Sequence, residues 1–313
     1  KMITDTIGLD VSKDKLDVHR LSDGVFIQFE NTKKGFKALI KWAAGDNLAR
    51  VVYEATGPYH RALESACSGH LPLVKVNPLQ ARRFAQASGT RVKTDKVDAR
   101  MLALMGVAFD LIPDKPLTQN QHDLKELHGA RASLVKEQTR ILNRQKNQTL
   151  QLTRSQGKKQ LDQVKKQIAE LNEAIEVLVR ADPRTSRNID ILKSIPGIGA
   201  VSAATVLIEM PEIGTLTRKE AASLTGVAPM TRQSGKWQGK SFIQGGRKTV
   251  RDALYMPALV AARRNPDLKA KYDQMVAAGK PPKIALTALM RKLIETGNAL
   301  IKADRLWLKN VLD

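Results

Sequence analysis

The sequence predicts an α/β domain followed by a helical arm and a mainly helical C-terminal domain. Short apolar strands alternate with amphipathic helices in the first third of the chain. The middle has no proline between residues 119 and 153, and apolar residues then recur at steps of three and four. The last third places glycine-rich turns beside apolar helices. We therefore predict domains at residues 1–112, 113–183 and 184–313.

The net charge indicates the class of partner. The chain of 313 residues has 52 Lys and Arg against 31 Asp and Glu, a formal charge of +21. This balance favours a polyanion, with nucleic acid ahead of an anionic membrane. Aromatic residues are only 4% of the chain, which disfavours base-stacking platforms. The single cysteine, Cys67, excludes an internal disulfide and a cysteine-based zinc site, and we expect it to be buried.

No stretch predicts a membrane span or a leader segment. The longest apolar runs, such as residues 200–208, are far too short to cross a bilayer. The opening residues do not resemble a signal peptide. We expect a cytoplasmic protein of the reducing compartment without a membrane partner.

The first third reads as a three-stranded meander followed by alternating helix and strand. Alternation and bounding turn residues mark the strands, and apolar residues on one side mark the helices. Such an order is typical of a mixed α/β layer. The strands are predicted at 4–12, 16–21, 25–30, 50–57 and 71–76, and the helices at 35–44 and 59–68.

Four acids stand where a metal site can form. Asp10 and Glu54 lie at the ends of predicted strands, where open α/β sheets place ligand groups. Asp95 and Asp98 share one face of a helix that Thr94 is expected to cap. If the two strands are neighbours, the four carboxylates suit a pair of Mg²⁺ or Mn²⁺ ions. The alternative is a solvated helix start in which the acids complement the helix dipole.

For the other acids of this region and for the histidines of the chain we expect no catalytic role. Asp17 and Glu64 are spare acids for which we expect surface roles. The histidines show no paired ligand spacing, so we expect them at the surface or in the core: His19, His60, His70, His122 and His128.

The middle predicts two long helices with a break near residues 155–157. An apolar seam runs along the second helix. Pairing within the chain and pairing between chains both explain it. The basic residues of the arm fit either a phosphate backbone or a solvated face. The seam consists of Leu161, Val164, Ile168, Leu171, Ile175 and Leu178.

Two segments of the last third point to phosphate contact. The turn Ile195–Gly199 resembles a helix-hairpin-helix, whose backbone N–H groups meet a phosphate, although a tight turn between packed helices is the alternative. Downstream, Arg247 and Arg251 lie four apart after two glycines and could grip one phosphate. A plain basic loop explains those glycines poorly.

The segments Gly8–Ser12, Glu54–Gly57 and Lys93–Ala99 resemble the motifs of the DEDD transposases of the insertion sequence 110 family, which includes the pilin-gene DNA invertase. The resemblance extends over nearly the whole chain. It implies a RuvC-like, ribonuclease-H-type fold for the first domain. It also implies that Asp10, Glu54, Asp95 and Asp98 hold Mg²⁺ or Mn²⁺.

The same resemblance implies a serine nucleophile that becomes linked to a 5′-phosphate. Ser241 is the matching residue and Ser234 is the second choice. The implied partners are donor and target DNA, a structured bridge RNA, and further copies of the chain in a dimer of dimers. In that assembly, the four acids of one subunit would meet Ser241 of another. Predicted nucleic-acid contacts are Lys93, Arg100, Gly197, Gly199, Lys240, Gly245, Gly246, Arg247 and Arg251.

Two other functions compete with this interpretation. In a RuvC-type junction nuclease, metal-activated water cuts and Ser241 is structural. In a non-enzymatic nucleic-acid scaffold, the acids merely offset neighbouring lysines.

Overall fold

The computed structural model describes residues 5–45, 47–55, 57, 59–90, 94–235 and 237–308. The chain forms two compact units, Lys1–Thr118 and Gln119–Asp313.

The first unit is a five-stranded sheet with helices. Strands β1, β2 and β3 form an antiparallel meander, and β1, β4 and β5 are parallel, in the order β3-β2-β1-β4-β5. This confirms the predicted meander and alternation, and it is consistent with a ribonuclease-H-like transposase domain. The elements are β1 (Asp5–Val11), β2 (Lys15–Arg20), β3 (Phe26–Glu30), α1 (Lys33–Ala43), β4 (Leu48–Glu54), α2 (His60–Cys67), β5 (Leu73–Val76), α3 (Pro78–Ala87) and α4 (Asp95–Ala108).

Both faces of this sheet are covered. Val51 packs into a core with Ile7 and Leu9 on one face, whereas its neighbour Val52 packs with Leu102 of α4 on the other. Successive strand residues point to opposite faces, so two apolar neighbours require two covering layers. Cys67 is buried in the first of these cores, as expected.

Helix α3 was not predicted. Asn77 caps it by accepting hydrogen bonds from the backbone N–H groups of Leu79 and Gln80, and Pro78 occupies the first turn. The Asn-Pro pair is a helix-start signal. The helix buries none of its residues, so the apolar periodicity that reveals most helices is weak here.

The second unit is mainly helical, as predicted. None of the helices in the described part of the chain combines the length and apolar character that crossing a bilayer requires. Two short hairpins interrupt the helices, with β6 paired to β9 and β7 paired to β8. The elements are α5 (Gln119–Gln145), α6 (Gln151–Ala181), α7 (Pro183–Ser194), α8 (Ala200–Glu209), α9 (Arg218–Thr225), β6 (Pro229–Met230), β7 (Gln233–Ser234), β8 (Trp237–Gln238), β9 (Phe242–Ile243), α10 (Lys248–Arg264), α11 (Pro266–Ala277) and α12 (Pro282–Lys302).

Helices α5 and α6 pair within the chain in antiparallel directions. Arg131 Nε donates to Asn172 Oδ1 at 2.5 Å, and Arg144 Nη2 donates to Gln160 Oε1 at 2.9 Å. The predicted seam lies between them, where Ile141 packs with Leu161 and Val164. At the other end of the pair, the core is shared with the C-terminal helices, through Leu124, Ile175 and Val179. The division into arm and C-terminal domain near residue 183 stays a prediction.

The predicted break near residues 155–157 is wrong, because α6 continues through it and the connection lies at 146–150. Gly157 is buried where the two helices approach each other. A Cβ atom there would lie 3.0 Å from Gln148 Oε1 and 3.1 Å from Gln145 Nε2. The glycine therefore serves close packing at the connection, at a cost of about 1 kcal/mol in helix propensity.

Candidate active site

Asp10 and Glu54 emerge at the same edge of the sheet. Strand β1 is parallel to β4, with Leu9 opposite Tyr53, and the two acids are the next residues along each strand. The condition on which the predicted metal site depended, that these two strands are neighbours, is met. Both carboxyl groups are half-buried, at the carboxyl ends of parallel strands where ligand groups gather.

A glycine lets α4 lie directly on β1. A Cβ atom on Gly8 would lie 1.9 Å from Ala99 O and 2.5 Å from Ala103 N. Further along the helix, a Cβ atom on Gly106 would lie 2.7 Å from Val52 Cγ2 of β4. No side chain fits at Gly8, so backbone contact fixes the helix across the strand that carries Asp10.

The start of α4 brings two more acids to this edge. Thr94 caps the helix, accepting a hydrogen bond from Val97 N at 3.3 Å, which confirms the predicted cap. Asp95 and Asp98 occupy the first turn; the former is exposed and the latter half-buried.

The four predicted acids interact electrostatically. The pKa of Asp10 is raised from 3.8 to about 6, first by burial and then by the charges of Asp98, Asp95, Glu54 and Asp17. Burial and neighbouring carboxylates both disfavour the ionised form. The site therefore has excess negative charge around Asp10, inside a protein that is strongly basic overall.

The donor chemistry fits a divalent cation. Carboxylate oxygens are the ligands that Mg²⁺ and Mn²⁺ prefer, and such an ion would relieve the repulsion at Asp10. Across the described residues, no three His, Cys, Asp or Glu side chains converge closely enough to hold one ion as they stand. The fit of these acids to a cation therefore rests on their donor chemistry and on the repulsion at Asp10, not on a preformed set of three ligands in the described part of the chain.

Asp17 is a fifth acid of this site, and the expected surface role was wrong. Its side chain is buried, with 2% exposed, and it lies opposite Asp10 in the pairing of β1 with β2. Gln28 Nε2 donates a hydrogen bond to Asp17 Oδ1 at 2.6 Å. The sequence did show that Asp17 lies within a strand, between Leu16 and Val18. The surface role was expected because we assumed that the face of β2 opposite these two apolar residues meets water.

Glu64 also departs from its expected surface role. Its side chain is 16% exposed and accepts hydrogen bonds from Lys75 Nζ and Tyr53 Oη. Burial raises the pKa of Glu64, but the bonds from Lys75 and Tyr53 outweigh burial and lower it overall. This acid belongs to a polar network beside β4 rather than to the Asp10 cluster.

The basic residues predicted to bind nucleic acid near α4 are Lys93 and Arg100. Lys93 lies outside the described residues. Arg100 is exposed on α4, close to the buried His19, whose pKa is lowered first by burial and then by Arg100 and Lys96. His19 is thus one of the predicted core histidines.

Both candidate serines are exposed on the short hairpins. Ser241 directly precedes β9, beside the exposed Lys240, and Ser234 ends β7. A cation–π contact supports this region, with the Arg232 guanidinium 4.8 Å from the centre of the Phe242 ring. Either hydroxyl can be reached by a large substrate.

The two glycines after Ser241 close a tight turn. Gly245 and Gly246 both have positive φ, at 73° and 65°. A Cβ atom on Gly246 would lie 2.2 Å from Gly226 N, and Arg251 Nη1 donates to Gly245 O at 2.6 Å. Glycine is required here for conformation and for packing against the end of α9.

Arg247 stands at the start of α10, as predicted, and its guanidinium group has partners within the unit. Nη1 donates to Glu209 O at 2.8 Å, and Nη2 lies 2.5 Å from Glu212 Oε1. Both Arg247 and Arg251 already donate to main-chain carbonyls, which leaves fewer of their donors for a phosphate. The predicted phosphate grip stays a prediction.

The two glycines of the turn between α7 and α8, Gly197 and Gly199, have different roles. Gly197 has φ 113°, and a Cβ atom there would lie 2.7 Å from Pro257 O of α10, so this glycine permits packing. Gly199 caps α8, is exposed, and faces open space. The helix-hairpin-helix assignment stays a prediction. The first N–H groups of a helix have no partner within the helix, and those of α8 follow the exposed Gly199.

Comparison with known proteins decides the family. The DEDD transposase model of the IS110 type matches residues 7–155, which include the four predicted acids, and a model described as the IS116/IS110/IS902 transposase family matches residues 189–273, which include Ser241. The pilin gene-inverting proteins of Moraxella bovis and Moraxella lacunata are each 30% identical over 319 residues, covering 96% of both chains. The chain belongs to the IS110 family of transposases.

This transposase is therefore an enzyme of site-specific recombination that acts by exchanging DNA strands. A shorter similarity involves an uncharacterised 43.6 kDa protein of insertion element IS110 from Streptomyces coelicolor. That protein is 30% identical over 145 residues, which is 45% of this chain and 35% of that protein.

Proposed function

We propose that this transposase exchanges strands between donor and target DNA, guided by a structured bridge RNA, through a phosphoserine intermediate on Ser241. One observation carries the catalytic part of the proposal: the other three acids of the DEDD motif lie close enough to the half-buried Asp10 to add to the effect of its burial and raise its pKa. Such a cluster is a strong candidate for metal-assisted phosphoryl transfer.

Asp10, Glu54, Asp95 and Asp98 would hold a divalent ion, Mg²⁺ or Mn²⁺. Transposases of the DEDD family typically use a divalent metal. When bound, the ion supplies charge neutralisation at the phosphodiester oxygens. Asp17, fixed by its hydrogen bond from Gln28, would add a further negative charge from the neighbouring strand and so favour the cation.

Ser241 would act as the nucleophile. Its Oγ attacks the phosphorus, a serine–phosphate bond forms, and the bond from phosphorus to the 3′-oxygen breaks. The serine proton is released and the 3′-oxygen takes one up as a hydroxyl. Attack by the 3′-hydroxyl of the second DNA then restores a phosphodiester and the free serine. The exposure of Ser241 beside Lys240 supports this role, because the cation favours the ionised hydroxyl.

The remaining predicted residues would hold nucleic acid or shape the segment that does. We assign phosphate contact to Arg100, Lys93, Lys240 and the N–H groups after Gly199. Gly197, Gly245, Gly246, Arg247 and Arg251 would fix the surrounding turns, consistent with their contacts. The working assembly would be a dimer of dimers in the bacterial cytoplasm, at the nucleoid.

The test is detection of a covalent protein–DNA species. Labelled donor and target DNA, RNA transcribed from the element and Mg²⁺ are incubated with protein, quenched in detergent and resolved by size. We expect an adduct with wild type and with Ser234→Ala, and none with Ser241→Ala. An adduct that persists in Ser241→Ala and disappears in Ser234→Ala would move the nucleophile to Ser234.

A RuvC-type nuclease is the second candidate, because the acid cluster alone could support cleavage by water. It predicts cut DNA without an adduct, in wild type and in Ser241→Ala alike. The alternative of a non-enzymatic scaffold predicts neither cut DNA nor an adduct.

Asp10→Asn separates catalysis from binding. We expect it to abolish cleavage and to leave DNA and RNA affinity within about twofold, because it removes one charge from a site that meets only the scissile phosphate. Gel-shift titrations beside cleavage assays measure both. A large loss of affinity would contradict a purely catalytic role for Asp10.

A further inference from the structure

A cavity of about 250 Å³ lies in the second unit where α5, α6, α7 and α8 meet. Most of its wall is apolar, provided by residues of α6, α7 and α8 that include Ile175, Val179, Ile189, Val201 and Ala204. A bare phosphate or a cation has no reason to enter such a space, since neither is solvated by aliphatic groups. A flat group with apolar faces fits it.

One buried polar side chain in this wall, His128, has a ring nitrogen that makes no hydrogen bond to the described residues. The nitrogen is Nε2, and the residue is 5% exposed. Glu209 Oε1 lies 3.5 Å from this nitrogen, an ion-pair contact if the imidazole is protonated. Burial lowers the pKa of His128 although the charge of Glu209 opposes this shift, and this favours the neutral imidazole, which has one donor and one acceptor. A buried polar atom without a partner costs free energy unless a ligand or water satisfies it.

The outer part of the cavity is cationic. Arg131, Arg180 and Lys193 line it together with one carboxylate, Glu176, and all but Arg131 are exposed. Arg180 also pairs with Asp190 at 3.7 Å, so Arg131 and Lys193 supply most of the positive charge. Arg131 donates through Nε to Asn172, which uses one of the five N–H donors of a guanidinium. Ala200 and Val201, the first residues of α8, also line it, and the N–H groups of a helix start favour anions.

An apolar interior, a buried hydrogen-bonding group and a cationic rim together describe the chemistry of a nucleotide. We propose that this cavity takes one unstacked nucleotide of the transposase's nucleic-acid partner, with the base beside His128 and its phosphate at the rim. The inference rests on the nucleic-acid binding in the proposed function and adds a specific feature: an unpaired or extruded nucleotide is preferred.

The test uses a short duplex with a single bulged 2-aminopurine and the fully paired duplex of the same sequence, each made as DNA and as RNA. Fluorescence titration of the full chain gives the affinities. We expect the bulged form to bind about tenfold tighter in at least one of the two series, as for one buried base. The series in which the bulged duplex binds more tightly shows whether the cavity takes a nucleotide of DNA or of RNA.

One variant, with a matched control and a reserve variant, tests the position of the site. Val201→Trp fills the cavity from a half-exposed position, and Val177→Trp, at a more exposed site on α6 that does not line it, is the matched control. Asn172→Leu removes the acceptor of Arg131 Nε at an exposed position and serves if Val201→Trp does not fold, as judged by circular dichroism; we expect it to weaken the preference, and an unchanged preference would overturn the inference. We expect the preference to be lost in Val201→Trp and kept in Val177→Trp.

Equal affinity for bulged and paired duplexes in both series would overturn the inference, as would a preference that survives Val201→Trp. These outcomes are distinct from failure of the proposed function. A bulge preference without any strand exchange or adduct would remove the recombination mechanism and leave the cavity assignment intact. Adduct formation without a bulge preference would do the reverse.

Discussion

Asp10 shows how the surroundings of one carboxyl group set its chemistry. Its half-buried position and four neighbouring carboxylates all raise its pKa, to about 6. The ionised form is therefore unfavourable in the fold when no cation is bound. For an acid whose pKa is raised by folding, the protonated form stabilises the protein fully below pH 3.8, and this stabilisation is lost as the pH rises through about 6.

Replacing Asp10 by Asn should therefore stabilise the protein in chelator-treated buffer. We expect the free energy of unfolding to rise by about 1–2 kcal/mol near pH 7.5, after allowance for solvent screening, and by less near pH 5. Urea unfolding at both pH values measures this. The control is Asp14→Asn, an exposed acid in the turn between β1 and β2, for which we expect no change. Equal effects at the two pH values would contradict the repulsion described for Asp10.

At the scale of elements, the site depends on how α4 meets the sheet. The helix start is encoded locally, through Thr94 and the two acids that follow it. Its position over β1 is not local, because it requires the absence of a side chain at Gly8, far away in sequence. Asp95 and Asp98 reach Asp10 only if that backbone contact forms.

Gly8→Ala should push α4 off β1. The added Cβ atom would lie 1.9 Å from Ala99 O, and backbone cannot yield as a flexible side chain does. We expect a loss of about 1–3 kcal/mol in unfolding free energy together with loss of cleavage. Gly45→Ala is the control, since nothing lies within 4 Å of a Cβ atom there and its φ is not positive. Full activity in Gly8→Ala would show that the site does not depend on this contact.

For the whole molecule, the net charge of +21 predicts strong and salt-dependent affinity for nucleic acid. The charges do not contribute equally. Lys240 is exposed beside Ser241, whereas Arg247 already pairs with Glu212 and with the carbonyl of Glu209. A cation with a partner inside the protein releases fewer counterions from a phosphate than an exposed one does.

The salt dependence of DNA binding should distinguish these two cations. We expect Lys240→Ala to lower the slope of log affinity against log salt by about one unit, and Arg247→Ala to leave it nearly unchanged while reducing stability. Titrations at several salt concentrations, with thermal unfolding in parallel, measure both. The opposite pattern would show that Arg247 contacts the phosphate backbone and that Lys240 does not.

Local features of the sequence determined most of the first domain. Strand alternation, helix periodicity and the Thr94 cap each act over a few residues, so the order of strands and helices could be predicted without coordinates. The motifs around Asp10, Glu54, Asp95 and Asp98 pointed to the family for the same reason. Net charge, a sum over the chain, indicated the nucleic-acid partner.

Tertiary structure decided which residues share an environment. Asp17 joined the acid cluster because α4 covers a strand face that alternation alone would expose to water. Gly157 proved to serve helix packing because a second helix approaches it, and Arg247 proved to bind Glu212 because the end of α8 lies beside it. Burial, close backbone approach and charge pairing depend on contacts between segments far apart in sequence, and the period of a single segment does not encode them.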